Sequence, residues 1–295
     1  MSGKAKPSDV VVGVDGSAAS YAAVGWAAHE ATIRGLPLTL LHVVEPTPLS
    51  STAAPNDTIT QEQEAGARQV LDRARWIAEE QKSEARPGVR VEIRYARVLA
   101  TLVDASRDAH MIVVGTRGLG EFGRHMLGSV TSGLLHHAHC PVAVIHDPDS
   151  AGHENRDDAP VLVGIDGSPA SETATALAFD EASRRRVPLV VLHAWSDVEV
   201  FPILGMDWRV RRDEGNEVLG ERLAGRQEIY PDVQVHRRLV SDVPTRWLIN
   251  ESEDAQLVVL GSRGRGGFDG LRLGSVSSAV AQSARVPVIV VRNGD

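Results

Sequence analysis

The chain has 295 residues and a formal net charge of −8, length enough for about two domains of roughly 150 residues each. That acidic balance argues against a nucleic-acid partner, whose phosphates need a basic face, and Arg184-Arg185-Arg186 reads as the solvated end of a helix. One cysteine (Cys140), no signal-peptide-like stretch in residues 1–10 and no apolar run near the roughly 20 residues of a membrane helix point to a reducing, cytoplasmic setting without a membrane partner.

Val10–Val14 is a continuous apolar run ending in Asp-Gly-Ser, the pattern of a strand buried on both faces. A helix follows, with Ser17 as a candidate N-cap, Tyr21, Val24 and Ala28 on one face and a stop at Arg34-Gly35. Leu38–Val44 reads as a second buried strand, Glu62–Gln81 as a helix with Val70, Ala74 and Ile77 inward, and Val89–Val98 as a third strand. Thr101–Asp108 is a short helix, Met111–Val114 a fourth strand, Ser129–His139 a helix and Val142–Ile145 a fifth strand. Residues 148–159 form a polar, turn-rich linker, which separates an expected domain 1–147 from a second, 160–295.

The second domain repeats each step: Val161–Ile165, Ser171–Arg185, Leu189–His193, Glu214–Glu228, Val233–Val240, Thr245–Glu253, Leu257–Leu260, Ser275–Ser283 and Val288–Val291. Val12-Gly13-Val14-Asp15-Gly16-Ser17 returns 151 positions later as Val163-Gly164-Ile165-Asp166-Gly167-Ser168. Gly115-x-x-Gly118 followed, after nine residues, by Gly128-Ser129 returns 146 positions later as Gly261, Gly264, Gly274 and Ser275. A period of this length is a duplicated domain, not a solenoid repeat. The change of offset places a net deletion of five residues between the second strand and the next helix, around Glu45–Thr60 against Ser196–Asp213. Strands and helices in alternation, with near-continuous apolar strands, imply an α/β fold in each copy, its parallel sheet covered on both faces.

Ligands of open parallel sheets bind beyond the carboxyl ends of the strands, where strand order reverses. Three segments per copy should meet there: Asp15 (Asp166), the end of strand two at His42-Val43-Val44 (His193-Ala194-Trp195), and the loop Gly115–Gly128 (Gly261–Gly274). Glycines let main-chain amides approach phosphate oxygens and take up positive φ. Gly128-Ser129 and Gly274-Ser275 then open helices whose free amides favour an anion, with the hydroxyls of Ser129, Thr131, Ser275 and Ser277 as further donors. Arg117 and Arg263 lie inside the loops and can reach phosphate or remain solvated. The flanking residues Gly13, Val14, Val114, Val130, Gly164, Ile165, Leu260 and Val276 complete the candidate site. Lysine occurs only at positions 4, 6 and 82, so main-chain amides, hydroxyls or arginine must hold any phosphates. The pattern is neither a Walker A loop, which needs Gly-Lys-Ser/Thr, nor a Rossmann fingerprint, which follows strand one.

These paired motifs resemble the ATP-binding class of the universal stress protein family, in tandem form and over nearly the whole chain. The resemblance implies two tandem open five-stranded sheets in order 3-2-1-4-5, Rossmann-like and of the adenine nucleotide alpha hydrolase type. It implies one ATP at the strand ends of each domain, with Mg2+ as its companion ion, and pairing of domains through strand five. Asp15 and Asp166 would then lie on the adenosine side, and the Val43 and Ala194 main chain would meet adenine. Gly115 and Gly261 would face ribose, and Gly118, Gly128, Ser129, Gly264, Gly274 and Ser275 would hold phosphate. Phrases such as Phe179-Asp180-Glu181-Ala182-Ser183-Arg184-Arg185 and Leu192-His193-Ala194-Trp195-Ser196-Asp197 look like the dormancy-associated tandem members in mycobacteria, which implies induction under hypoxia or nitric oxide.

Plainer readings stand beside these. Each glycine loop could be a tight connection without ligand, and Asp15 or Asp166 an Asx-turn. His136-His137-x-His139-Cys140 has the ligand types for zinc, but Gln282, Ser283, Arg285 and Val286 replace it in the second copy, so histidines at a helix C-terminus are the simpler reading. His42 and His193 read as strand-end core residues, Cys140 as a buried small residue, and Trp26, Trp76, Trp195, Trp208 and Trp247 as packing residues. The expectation is a regulatory ATP-binding protein with at most slow hydrolysis. Val142–Ile145 would pair with Val288–Val291 within the chain, with a homodimer and a regulatory protein partner left open. The alternatives are a slow ATP hydrolase or phosphotransferase and a nucleotide-free interaction scaffold.

Overall fold

Asp9–Gly13 (β1) forms because three β-branched residues in a row suit a strand buried on both sides, and Val10 and Val12 are fully buried. The computed structural model describes residues 9–45, 57–80, 88–118, 126–146, 157–195, 219–220, 223–241, 243–264 and 273–292. The chain divides into two units, Met1–Gly152 and His153–Asp295. In the first unit β1 leads to α1 (Ala18–Arg34), β2 (Leu38–Val44), α2 (Asp57–Glu80), β3 (Val89–Tyr95), α3 (Val98–Ala105), β4 (Ala109–Gly115), α4 (Ser129–His137) and β5 (Val142–Ile145). All pairings are parallel: β2 lies between β3 and β1, and β4 between β1 and β5, giving the order β3-β2-β1-β4-β5.

The second unit runs β6 (Val161–Gly164), α5 (Pro169–Arg185), β7 (Leu189–Trp195), α6 (residues 223–229), β8 (Val235–Ser241), α7 (Pro244–Ser252), β9 (Leu257–Gly261), α8 (Ser275–Ser283) and β10 (Val288–Val291). Its parallel order is β8-β7-β6-β9-β10, the same topology. In each unit the chain crosses from the middle strand to one side and then to the other. The reversal therefore falls between β1 and β4, and between β6 and β9.

Small residues let α1 lie close on the sheet: Ala23, Ala27, Ala28 and Ala31 are fully buried. Ser17 caps this helix, its Oγ accepting from Ser20 N–H at 3.1 Å, and Gly35 ends it in the left-handed region (φ 64°). Ser168 caps α5 in the same way, whereas Arg186 takes the left-handed position at its end (φ 58°). The arginine run there is not uniformly solvated. Arg184 and Arg186 are exposed, but the side chain of Arg185 is packed against Glu181 with N···O at 3.1 Å, because the helix turns it inward one turn after the glutamate.

The inward face of α2 is Ala67, Leu71, Ala74 and Ala78, with Val70 and Ile77 only half-buried beside it. The third strand is shorter than its apolar pattern implies, β3 ending at Tyr95 because α3 begins at Val98. The offset between copies is 151 up to the end of β2 and β7 and 146 from β3 and β8 onward, which brackets the deletion between those strands. The linker core, Trp208 and most of the Glu45–Thr60 and Ser196–Asp213 crossovers lie outside the described residues.

Candidate functional site

Where β1 ends, three segments converge as the strand order requires: the Asp15-Gly16-Ser17 turn, the end of β2 and the loop after β4. Gly16 turns the chain with φ 92° and Gly167 with φ 78°, a conformation strained for other residues. The Asp15 Oδ1 accepts from Ser17 N–H at 2.9 Å and from the Ser17 hydroxyl at 2.6 Å. In the second unit Asp166 Oδ1 accepts from Ser168 N–H at 2.9 Å. Both aspartates thus close Asx-turns with one oxygen. The other oxygen, Oδ2, lies directly over the Cα of Gly118, or of Gly264, where an added methyl group would collide with it.

The loop glycines earn their place by close approach rather than by positive φ. Among the described residues only Gly16, Gly35 and Gly167 are positive-φ glycines, so the expected left-handed conformation does not extend to Gly115, Gly118, Gly128 or their counterparts. A Cβ on Gly115 would lie 2.8 Å from the Ala19 carbonyl carbon, and one on Gly261 2.7 Å from that of Ala170, because α1 and α5 begin against the ends of β4 and β9. Gly128 N–H donates to Thr116 C=O at 2.8 Å and Gly274 N–H to Ser262 C=O at 2.6 Å, so each loop is closed at its neck. The hydroxyl of Ser168 bonds the Arg263 carbonyl at 3.0 Å, tying the first turn to this loop. The sequence signal for this serine bridge is the Asp-Gly-Ser turn that ends in Ser168. Arg117 is half-buried and Arg263 exposed; loop residues 119–125 and 265–272 are outside the described set.

The helices that follow are capped differently from α1 and α5. Gly128 and Gly274 occupy the N-cap with no side-chain hydrogen bond, leaving the first amides of α4 and α8 uncapped. Exposed Ser129 and Ser275 begin these helices, with Val130 and Val276 half-buried behind them. Thr131 and Ser277, expected as donors to an anion, are buried instead, and they donate to Gly115 C=O at 2.7 Å and Gly261 C=O at 2.6 Å. Each hydroxyl faces the strand-end carbonyl that the chain leaves behind as it turns into the loop. The Thr116 hydroxyl, also buried, has no partner among the described residues.

At the end of β2 the ladder fixes which main-chain groups face the cleft. Val14 N–H donates to Leu41 C=O at 2.9 Å, whereas Val44 C=O accepts from Ala96 N–H at 3.2 Å on the β3 side. Peptide groups alternate along a strand, so the N–H and C=O of Val43 point toward the side that β1 has vacated. Ala194 is placed likewise, since Ile165 N–H donates to Leu192 C=O at 2.8 Å. Gly13, Val14, Val114 and Gly164, Ile165, Leu260 form the strand-end floor of the two clefts, Val14, Val114, Ile165 and Leu260 being buried.

The histidine cluster is not drawn into a centre. Helix α4 stops at His137, and Cys140 is buried, its thiol pushed up to about 12 by that burial. Among the described residues no group of three or more His, Cys, Asp or Glu could hold a metal ion, and no helix is long and apolar enough to cross a membrane.

Two open parallel sheets of one topology, each with a glycine-walled cleft at its switch point, define a tandem, doubly wound α/β protein. A sequence model of the Universal stress protein family matches residues 8–146 and again 159–292. The chain belongs to that family. It is 52% identical over 285 residues to a universal stress protein of Mycolicibacterium smegmatis, with 96% of both chains covered. It is 50% identical over 294 residues to one of Mycobacterium tuberculosis, with 99% of both covered. The crystal structure of a universal stress protein from Archaeoglobus fulgidus superposes with a TM-score of 0.72 at 23% identity, covering 98% of this chain and 100% of that one, a likeness of fold.

Proposed function

We propose that each unit binds one ATP in the cleft at its switch point, and that occupancy, not turnover, is the output through which the protein regulates a stress or dormancy response of the hypoxic type. The observation that carries this reading is the pair of glycine-capped helices. In each unit a carbonyl-closed loop ends in a helix whose first amides no side chain caps, while the first helix of the unit is serine-capped. Such amides suit an oxyanion. The residues fit the group. The Ser129–Thr131 and Ser275–Ser277 main chain would take phosphate oxygens, the Val43 and Ala194 main chain a base edge, and Asp15 and Asp166 the ribose side or a companion Mg2+. ATP would bring only charge and a transferable phosphoryl group. Fast transfer needs a base or water-positioning residue as well.

Purified full-length protein, heat-denatured and analysed by mass spectrometry, should release adenine nucleotide, and calorimetric titration of nucleotide-free protein should reach two ATP per chain. No released nucleotide and no titration would leave the scaffold reading. Product appearing within seconds in single-turnover assays would favour the hydrolase instead.

A further inference from the structure

The β1–β2 ladder ends one rung early. Val14 N–H donates to Leu41 C=O at 2.9 Å, which turns Val14's own carbonyl toward β2. In a continuing parallel ladder the next bond runs from Val43 N–H to that carbonyl. Among the described residues no main-chain donor reaches it; the ring Nδ1 of His42 lies 2.6 Å from it instead. A carbonyl oxygen only accepts, so Nδ1 carries the proton. The second unit repeats this atom for atom. Ile165 N–H donates to Leu192 C=O, no main-chain donor among the described residues reaches Ile165 C=O, and His193 Nδ1 lies 2.6 Å from it. Val14 has become Ile165 and Val43 has become Ala194, yet the ring, the nitrogen and the distance are unchanged.

We infer that His42 and His193 are positioning residues that hold the base-edge side of each cleft open. Each ring takes the carbonyl one residue past the unit's first strand in place of the main chain. The N–H of Val43 or Ala194 is thereby kept free as a donor, and the strand is stopped where Asp15 or Asp166 must turn away. A ring nitrogen of a purine is the class of acceptor that this donor suits. The inference rests on the nucleotide reading above, but the exchange of hydrogen-bond partners exists without nucleotide and is measurable without it.

The test compares His42→Leu, His42→Asn and His42→Gln in the full chain, with the second site as internal control. Asparagine places a donor near the position of Nδ1, glutamine near that of Nε2, and leucine removes it. Leucine and glutamine should weaken ATP at one of the two sites about tenfold, the loss of roughly one hydrogen bond. Asparagine should restore affinity to within a few-fold. Hydrogen exchange of the Val43 amide in nucleotide-free protein should be fast in the wild type and the Asn variant. It should slow in the Leu variant, where Val43 recovers the Val14 carbonyl. Equal ATP affinities for wild type and the Leu variant, or a Val43 amide equally protected in both, would overturn the inference. A wild type that binds no ATP would sink the nucleotide reading, and the amide measurement would still decide the role of the ring.

Discussion

Asp15 uses its two carboxylate oxygens for different purposes. Oδ1 is committed to the turn through Ser17, and Oδ2 rests on the bare Cα of Gly118. The glycine is therefore part of the aspartate's seat, and an alanine there would displace the carboxylate rather than merely stiffen a loop. Gly118→Ala should lower ATP affinity at the first site roughly tenfold, about 1.4 kcal/mol, while the second site titrates as before. Because the methyl group acts through Asp15, the effects of Gly118→Ala and Asp15→Ala should not add. Once Asp15→Ala has removed the carboxylate, Gly118→Ala should cost little further affinity. Calorimetric titration of the two single variants and the double variant measures the coupling, and full additivity would separate the two residues.

At the scale of elements, the contrast between serine-capped and glycine-capped helices separates stability from binding. Ser17 and Ser168 satisfy the first amides of α1 and α5, whereas Gly128 and Gly274 leave those of α4 and α8 to whatever occupies the cleft. Gly128 has φ −60° and ψ 154°, which any residue adopts, and its added Cβ would meet Thr116 O at 3.4 Å, ordinary contact. Gly128→Asp should therefore stabilise the nucleotide-free protein by roughly a few tenths of a kcal/mol through N-capping. The same carboxylate should exclude phosphate and abolish binding at the first site. Urea unfolding and ATP titration of the one variant check both halves, and a variant that gained stability and kept two sites would count against the helix as the phosphate seat. This layout was largely legible in the sequence, because buried parallel strands read as unbroken apolar runs and because both glycine motifs occur twice. Side-chain direction was not. Thr131 and Ser277 sit where a donor to phosphate would be sought, yet they face backward to strand-end carbonyls, a choice set by helix phase that spacing alone does not reveal. Nor did the sequence show that Ala67 and Leu71, not Val70, are buried on α2, since Val70 is turned toward Gly16, 3.1 Å from its would-be Cβ. His42 was visible as a recurrent residue, but its carbonyl partner depends on where β1 stops.

For the whole molecule, the single thiol offers a reporter confined to the first unit. Cys140 is buried, and burial raises its pKa from 9.0 to about 12. Above about pH 9 the unfolded thiol ionises while the native one does not, so the unfolded state binds fewer protons and stability falls as pH rises. The contribution is intact below that pH and lost progressively toward pH 12, and Cys140→Ala should flatten this part of the alkaline stability profile. At neutral pH the same burial makes reaction with iodoacetamide wait for opening of the first unit. A ligand bound only to the closed form lowers the open population by the factor 1 + [L]/Kd, so ATP at about 100 times its Kd should slow labelling about 100-fold. The second unit has no cysteine, so this protection reads the first site alone. Asp15→Ala should remove it, while Asp166→Ala should leave it in place, each unit having its own strands and core. Labelling slowed equally by ATP in the wild type and the Asp15→Ala variant would show that the nucleotide acts somewhere other than the cleft beside β1.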